Sequence, residues 1–292
     1  MNSEGKKNIL VTGGAGFIGT QLIKVLVKQG YHVISLDNYF TGSLDNHVKG
    51  AEYREGHTKD IEYIIPENID VIYHLGEYSR VEISLNEPLL VFDLNMKGTL
   101  AVLEFWRKQK SKLIYAGSST KFADGGMGRN QSPYAFTKAV NTELVSNYAD
   151  WYGLKYAITY FYNVYGKGER SGTYGTVIEI FKQKYFAGEP LQVTAPGTQQ
   201  RIFTHVDDIV NGLLLIGSVG EGDEFGLGAN EIHSILEIAA MFGAPIEMKP
   251  ETKGNRMTAK LDVAKAYNIG WRPVNKVEDY INAIIHSKNK KV

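Results

Sequence analysis

A short apolar run, a glycine-rich turn and a helical pattern follow one another near the start of the chain. Residues 9–11 are Ile, Leu and Val, and three glycines spaced three positions apart come next: Gly13, Gly16 and Gly19. In such a turn the first glycine permits a tight bend, the second lets a pyrophosphate approach the backbone, and the third lets the helix pack on the strand. The pattern is typical of a dinucleotide site whose phosphates bind amides at the start of the helix.

A second strand and an acidic residue complete this opening unit. The helical pattern ends at Gly30, and residues 31–36 then read as a strand that leads into Asp37. Asp37 stands at about the expected distance, roughly 20 residues beyond the turn. An aspartate in that place accepts hydrogen bonds from both ribose hydroxyls of NAD and repels the 2′-phosphate of NADP, so we expect NAD as the cofactor. In the alternative interpretation, Asp37 only opens the turn that follows it.

The composition argues against several other classes of function. The chain has 292 residues, 32 basic and 32 acidic side chains, and no cysteine. Balanced and dispersed charge gives no reason to expect nucleic acid or a membrane surface as a partner. The lack of cysteine excludes disulfides and thiol nucleophiles. No apolar run reaches the roughly 20 residues that cross a bilayer, and the first residues lack the apolar core of a signal peptide, so we expect a cytoplasmic protein, and we expect no metal.

Strands and helices alternate along the chain after this unit. The next predicted strands cover residues 70–74, 112–116 and 156–161. A helix is predicted between the first two of them, at about 89–108. This alternation predicts an α/β protein with a Rossmann-type doubly wound parallel sheet. We expect residues 1–165, with a return segment at about 203–218, to form the NAD-binding domain. Residues 166–292 are expected to form a smaller C-terminal mixed α/β domain that binds the substrate.

A tyrosine and a lysine begin another helical segment. Tyr134 and Lys138 are spaced so that both side chains lie on one helix face, and Tyr134 is the only one of 18 tyrosines with lysine four positions later. Ser118 and Ser119 follow the strand at 112–116, at the carboxyl edge where doubly wound sheets bind ligands. We therefore expect the glycine turn, a serine hydroxyl and the Tyr/Lys pair in one crevice. Ordinary amphipathic packing is the alternative interpretation of the pair.

Taken together, these motifs resemble those of the nucleotide-sugar epimerase/dehydratase family of extended short-chain dehydrogenases/reductases. The resemblance covers nearly the whole chain and rests on Gly13-x-x-Gly16-x-x-Gly19, Asp37-Asn38, Asn95 with Gly98-Thr99, Ser118-Ser119, Tyr134-x-x-x-Lys138, Phe161-Tyr-Asn-Val-Tyr-Gly166 and Gln200-Arg-Ile-Phe-Thr-His-Val-Asp-Asp208. It implies NAD as cofactor and a nucleotide-diphosphate sugar as substrate. It also implies a homodimer that pairs through the helices at about 89–108 and 133–152.

The resemblance further implies roles for individual residues. The implied catalytic residues are Ser119, Tyr134 and Lys138, with Ser119 bridging Tyr134 and the sugar hydroxyl. Because Lys138 and the positive nicotinamide both favour a phenolate, we expect the pKa of Tyr134 below its usual value near 10. The residues implied for the cofactor are Gly13, Gly16, Phe17, Ile18, Gly19, Asp37, Asn38, Thr58, Leu75, Gly76, Glu77, Asn95, Tyr134, Lys138 and Phe161. The residues implied for the nucleotide sugar are Ser79, Ser118, Ser119, Asn163, Val177, Gln192, Arg201 and Arg256.

Residues next to the serine pair separate the reaction types of the family. Dehydratases of the family carry Asp-Glu directly after the active-site hydroxyl, and glucuronate decarboxylases carry a glutamate two positions beyond it, whereas Thr120 and Lys121 follow Ser119 here. Members that also invert C3 or C5 use a cysteine. The resemblance therefore implies a 4-epimerase of a UDP-hexose or UDP-N-acetylhexosamine, acting through a transient 4-keto sugar. A dehydratase, a decarboxylase, a 2-epimerase, a sugar dehydrogenase and a non-catalytic NAD-binding protein are the alternatives.

Some positions depart from the family pattern. Glu77 stands where members usually have a small residue, and its carboxylate has no role that the sequence explains. Thr252 replaces an expected phosphate-binding arginine, for which Lys253 or Arg256 is a candidate substitute. Ala259 falls about where members place a bulky residue that excludes N-acetyl groups, so its small side chain favours an N-acetylhexosamine.

Overall fold

The computed structural model describes residues 6–119, 128–172, 174–251 and 262–289. Its strands are β1 (Asn8–Thr12), β2 (His32–Asp37), β3 (Glu52–Glu55), β4 (Val71–His74), β5 (Lys112–Ser118), β6 (Lys155–Phe161), β7 (Val164–Tyr165), β8 (Leu191–Thr194), β9 (Gln200–Ile202), β10 (Thr204–His205), β11 (Gly222–Leu227), β12 (Ile232–Ser234) and β13 (Ile246–Lys249). Its α-helices are α1 (Phe17–Lys28), α2 (Ile61–Ile64), α3 (Pro88–Val91), α4 (Gly98–Gln109), α5 (Pro133–Tyr152), α6 (Val177–Ala187), α7 (Val206–Val219), α8 (Ile235–Met241), α9 (Ala264–Asn268) and α10 (Val277–Asn289).

Within these residues a seven-stranded parallel sheet forms the centre, in the order β11-β6-β5-β4-β1-β2-β3. Leu10 of β1 pairs with Ile34 of β2 on one side and with Ile72 of β4 on the other. Helices cover both faces of the sheet, so its central strands are apolar without alternation. The predicted Rossmann-type doubly wound fold is confirmed.

Apolar side chains attach helices to the two faces of this sheet. On one face Leu22 of α1 and Leu213 of α7 are fully buried, and on the other Trp106 of α4 and Val145 of α5 are fully buried. Burying an aliphatic or aromatic side chain of this size contributes about 1.5–3 kcal/mol. The sheet is thereby a rigid support for the loops that follow its strands.

The C-terminal region has an apolar cluster of its own. Phe181 of α6, Leu191 of β8 and Ile281 of α10 are buried in it. There β8 pairs in parallel with β13, and β9 pairs antiparallel with β12, so the region is mixed α/β. The chain returns to the main sheet through α7 and also through β11, which pairs with β6. The return segment therefore reaches Leu227, and the division of the chain at residue 165 stays a prediction.

A π-helical segment, Phe92–Lys97, joins α3 to α4 without a break. Such segments free backbone groups from the regular helical pattern and are frequent at functional sites. Here the carbonyl of Asn95 accepts a hydrogen bond of 2.9 Å from Asn141 of α5. The distortion thereby ties this helical stretch to the helix that carries Tyr134.

Candidate active site

A cavity of about 610 Å³ lies at the carboxyl ends of the parallel strands. The glycine turn after β1 forms one wall of it. Gly13 has a φ of 71°, and a Cβ on it would lie 2.8 Å from the Cα of Gly76. A Cβ on Gly19 would lie 2.3 Å from the carbonyl oxygen of Gly13. Both positions therefore require glycine, because a side chain would collide with backbone.

Asp37 ends β2 on the same cavity. Its Oδ2 accepts a hydrogen bond of 2.9 Å from the amide of Ala15 in the glycine turn, and its Oδ1 accepts one of 2.8 Å from the amide of Tyr39. Burial raises the pKa of Asp37, and these two amide hydrogen bonds oppose that shift. Asp37 thus opens a turn, as in the alternative interpretation, and also faces the cavity where a ribose is expected.

The donor set at this wall fits NAD. The first turn of α1 has no side-chain cap, and its residues face the cavity, so its amides point towards the place of a pyrophosphate. The other expected cofactor residues that line the cavity are Gly16, Phe17, Ile18, Asn38, Thr58, Leu75, Gly76, Glu77 and Phe161. Asn95 is fully buried instead and holds the backbone amide of Tyr78 at 2.7 Å. Asn95 therefore supports the wall from behind.

Tyr134 and Lys138 lie on the first turns of α5. Ser132 caps this helix by accepting a hydrogen bond of 3.1 Å from the amide of Ala135, and proline occupies the first helical position. The Tyr134 hydroxyl donates to Ser118 Oγ at 3.1 Å. The sequence assigned this contact to Ser119, which lines the same cavity. Consecutive residues of a strand point to opposite faces, so the last residue of β5, Ser118, is the one that reaches Tyr134.

Glu77 lies directly behind the Tyr/Lys pair. Its Oε2 forms an ion pair with Lys138 Nζ, which also donates to the carbonyl of Ala116. Its Oε1 accepts three further hydrogen bonds, from Thr99 Oγ1 at 2.7 Å, Tyr115 Oη at 3.1 Å and Asn141 Nδ2 at 2.7 Å. The Glu77 side chain is only 4% exposed and that of Lys138 only 6%. The unexplained glutamate is thus a buried partner of the expected catalytic lysine.

The hydrogen bonds behind Glu77 have one consistent direction. Thr99 gives its proton to Glu77, so it must accept from Nε2 of His74, 2.9 Å away. Nδ1 of His74 then accepts from Thr12 Oγ1 at 2.7 Å, and Thr12 Oγ1 itself accepts from the amide of Gly76. Burial lowers the pKa of His74 to about 4, which keeps the ring neutral, as this chain requires.

Charge at this position is balanced inside the protein. Burial raises the pKa of Glu77, but Lys138 and the other donors outweigh burial, and the net shift is downwards. Burial also lowers the pKa of Lys138, and the contact with Glu77 opposes that shift. Four donors on one carboxylate hold Glu77 ionised, and Lys138 is its counter-charge.

The protein's own residues shift the pKa of Tyr134 upwards, opposite to the expected direction. Burial raises the pKa of Tyr134, the hydrogen bond with Ser118 opposes the shift, and the negative charge of Glu77 adds to it. The prediction counted the charges of Lys138 and of the nicotinamide but not that of Glu77. Among the described residues Lys138 instead donates to Glu77 and Ala116, and its ammonium lies 4.4 Å from the centre of the Tyr115 ring.

Most residues expected to bind the nucleotide sugar line the same cavity. These are Ser79, Ser118, Ser119, Asn163, Val177 and Arg201. Gln192 is exposed on β8, where its amide donates to Glu247 at 3.1 Å, and it does not line the cavity. Arg256, with Thr252, Lys253 and Ala259, lies outside the described residues, as do Thr120 and Lys121.

Sequence reasoning missed two arginines on the cavity wall. Arg80 donates through Nε to the carbonyl of Tyr174 at 2.9 Å, and burial lowers the pKa of its guanidinium. Arg170 lies on the loop after β7, and burial lowers its pKa while Asp37 opposes the shift. Arg80 directly follows Ser79, and Arg170 lies four positions after Gly166. This closeness to expected site residues was the available sign that the two arginines belong to the cavity.

Two negative findings concern the part of the chain that the structure describes. No described helix is long and apolar enough to cross a membrane. No group of three or more histidine, aspartate or glutamate side chains there is placed to hold a metal ion.

The glycine turn, Asp37 and the Tyr/Lys pair on one cavity define the class of NAD-dependent Rossmann-fold enzymes. Comparison with known proteins narrows this class. The profile described as NAD dependent epimerase/dehydratase family matches residues 9–228, so the chain belongs to that family. The family includes NAD-dependent epimerases and decarboxylases of nucleotide sugars.

Some individual relatives are named as epimerases and others as decarboxylases. A protein of Methanocaldococcus jannaschii, provisionally named UDP-glucose 4-epimerase, is 31% identical, and the match covers 95% of this chain and 97% of the relative. UDP-glucuronic acid decarboxylase 1 of Xenopus tropicalis is 27% identical over 100% of this chain and 74% of its own. The crystal structure of Thermotoga maritima UDP-glucose 4-epimerase with UDP-glucose superimposes with a TM-score of 0.87, at 28% identity, over 97% of this chain and 99% of that one.

Proposed function

We propose that the protein is an NAD-dependent 4-epimerase of a nucleotide-diphosphate sugar, with a UDP-hexose or UDP-N-acetylhexosamine as substrate. One observation carries the proposal: the Tyr134 hydroxyl, 3.1 Å from Ser118, shares its cavity with the glycine turn of the cofactor. A hydroxyl group of a sugar held there lies between a base and an oxidant. The names of the M. jannaschii relative and the T. maritima structure support this reading.

In the proposed reaction Tyr134 accepts the proton of the C4 hydroxyl and later returns it. Bound NAD supplies the reversible two-electron oxidation that converts the carbinol to a ketone. Ser118 holds the sugar hydroxyl beside Tyr134, and Lys138 fixes the charge next to it. The C4 hydrogen leaves with its bonding electron pair during this oxidation. Its return with that pair to the opposite face of C4, while Tyr134 returns the proton to the oxygen, inverts C4, so the reaction has no net redox change.

The acids that dehydration and decarboxylation require are missing near Tyr134 or are already paired. Dehydration requires an acid after the active-site hydroxyl and decarboxylation a glutamate two positions beyond it. Ser119, Thr120 and Lys121 follow Ser118 here, so neither serine has an acid in those positions. Glu77 is committed to Lys138 and to three other donors. The second candidate function is decarboxylation of UDP-glucuronic acid, because a similar protein is named as a UDP-glucuronic acid decarboxylase.

Product analysis tests the proposal directly. Purified protein is incubated separately with UDP-glucose, UDP-N-acetylglucosamine and UDP-glucuronic acid, with and without added NAD, and the products are identified by NMR. Conversion to the C4 epimer without net NADH is the expected result. Loss of carbon dioxide from UDP-glucuronic acid, loss of water, or steady release of NADH would each replace the epimerase with a neighbouring reaction.

A single substitution tests the role of Tyr134. Tyr134→Phe should bind NAD with unchanged affinity and lose about 10²- to 10⁴-fold in turnover, which is the usual contribution of a positioned base. Tyr148→Phe is the matched control, because Tyr148 is also a buried tyrosine but its hydroxyl contacts Glu104, outside the cavity. Full activity of Tyr134→Phe would remove the tyrosine from the proposed reaction.

We also propose that the protein is a homodimer that pairs through α5 and the helical stretch at 88–109. On the stretch at 88–109, Val91, Leu94, Val102 and Leu103 are buried within the chain, whereas Leu100 is 46% exposed. Exposed side chains on the same two elements extend this surface: Leu89, Phe92, Phe136 and Trp151. Such an outward apolar surface is the expected form of a partner contact.

A further inference from the structure

The position of Glu77 is chemically costly unless the carboxylate has a task. Its side chain is almost fully buried, in the segment that follows β4 and next to the Tyr/Lys pair. A buried charge is tolerated only when it is paired and hydrogen-bonded. Glu77 meets both conditions through Lys138, Thr99, Tyr115 and Asn141.

The contacts of Glu77 leave it a single orientation. Oε1 is held by three donors from α4, β5 and α5, so Oε2 is presented to the ammonium of Lys138. The ordered bonds from Thr12 through His74 to Thr99 fix this arrangement from the sheet side. Lys138 is therefore held at a defined place, one helical turn from Tyr134.

Several charged or titratable groups face Tyr134. From the segment after β4 these are Glu77 and Arg80, and from β5 it is Tyr115. Tyr78 and Tyr174 also pack in the cluster that contains Tyr134, and both hydroxyls donate to Glu87. Within this set Glu77 is the carboxylate that directly compensates Lys138.

We propose that Glu77 is a positioning residue, which pins the ammonium of Lys138 and, by compensating its charge, shifts the working range of the Tyr134 base towards alkaline pH. Without this carboxylate its negative charge no longer disfavours the phenolate, so the phenolate forms at lower pH. The inference rests on the proposed role of Tyr134 as the base.

Titration of Tyr134 in the folded protein tests the inference without substrate. The tyrosinate absorbance is followed against pH with NAD bound, and the signal of Tyr134 is the difference between each protein and the same protein with Tyr134→Phe. In Glu77→Gln this signal should move at least about one pH unit lower than in the wild type. Glu77→Ala removes the same charge and should move it in the same direction.

A control variant and the pH profile complete the experiment. Glu104→Gln removes a carboxylate that also binds a tyrosine, Tyr148, on the helical layer outside the cavity, and should leave the Tyr134 signal in place. The acidic limb of the turnover profile of Glu77→Gln should move with the titration. A Tyr134 signal at the wild-type pH in folded Glu77 variants would overturn the inference, while failure of the epimerase assay alone would overturn only the proposed reaction.

Discussion

Replacing Lys138 with methionine should strand the carboxylate of Glu77 inside the protein. Methionine fills similar space but supplies no charge, and the two side chains are 6% and 4% exposed in the wild type. Removing one partner of a buried ion pair costs about 3–5 kcal/mol. In a chain of this size such a loss lowers the unfolding midpoint by about 5–8 °C. Lys97→Met is the matched control, since Lys97 pairs with Asp93 at the surface and should cost less than about 1 kcal/mol.

The loss should depend on pH in a defined direction. In the wild type, burial raises the pKa of Glu77, but Lys138 and the hydrogen bonds lower it by more, so the net shift is downwards. The stability that the Glu77 carboxylate contributes is therefore present above its unfolded pKa and is lost as pH falls. Without Lys138, burial prevails and the pKa of Glu77 rises, so stability is lost as pH increases. The destabilisation of Lys138→Met should therefore be larger at about pH 8 than at about pH 5.

Calorimetric unfolding at the two pH values measures both effects. The double variant Lys138→Met with Glu77→Gln should recover much of the loss at the higher pH, because no charge is stranded. A loss below about 1 kcal/mol for Lys138→Met, or strict additivity of the two single changes, would refute the buried pair.

Three further predictions concern other parts of the structure. Gly19→Ala places a Cβ 2.3 Å from the Gly13 carbonyl and should weaken NAD binding at least about tenfold in calorimetric titration of the folded variant, so unchanged affinity would contradict the close packing. Burial raises the pKa of Glu169 to about 7, so stability is lost as pH rises through that value. Glu169→Gln should therefore raise the melting temperature relative to the wild type at about pH 8 but not at about pH 4. An equal effect at both pH values would argue against the raised pKa of Glu169. Phe136, 40% exposed and 6.2 Å from the ring of Phe92, should lie in the dimer contact, so Phe136→Lys should convert a dimer into monomers in light scattering, and a monomeric wild type would exclude the dimer.

The strands that the sequence predicted are those with an uninterrupted apolar run. β1, β4 and β5 are buried on both faces, and glycine or polar turns mark their ends. Two strands of the sheet were not predicted. β3 consists of Glu-Tyr-Arg-Glu and pairs only with β2 at the edge, so it needs no apolar face. β11 contains two glycines, a residue with positive φ at Glu224 and a shift in register, which hide the strand pattern.

The candidate site was predictable where it depends on strand ends. Parallel strands present their carboxyl ends at one edge, so Gly13, Asp37 and Ser118 meet although they are far apart in sequence. The environment of Glu77 was not predictable in this way. Its donors come from three other elements, and a lone glutamate after a strand ordinarily indicates a solvated loop. The unpredicted upward contribution of Glu77 to the pKa of Tyr134 follows from that omission.

The directional hydrogen bonds that end at Glu77 make this carboxylate difficult to transplant. Thr12 precedes the glycine turn, His74 ends the neighbouring strand, and Thr99 and Asn141 come from two helices. Lys138 and Thr99 belong to motifs that the family shares, so a relative given only the glutamate would still depend on donors at the positions of Tyr115 and Asn141. Exchange between family members would have to move the glutamate with these two donors, so the three positions should change in concert.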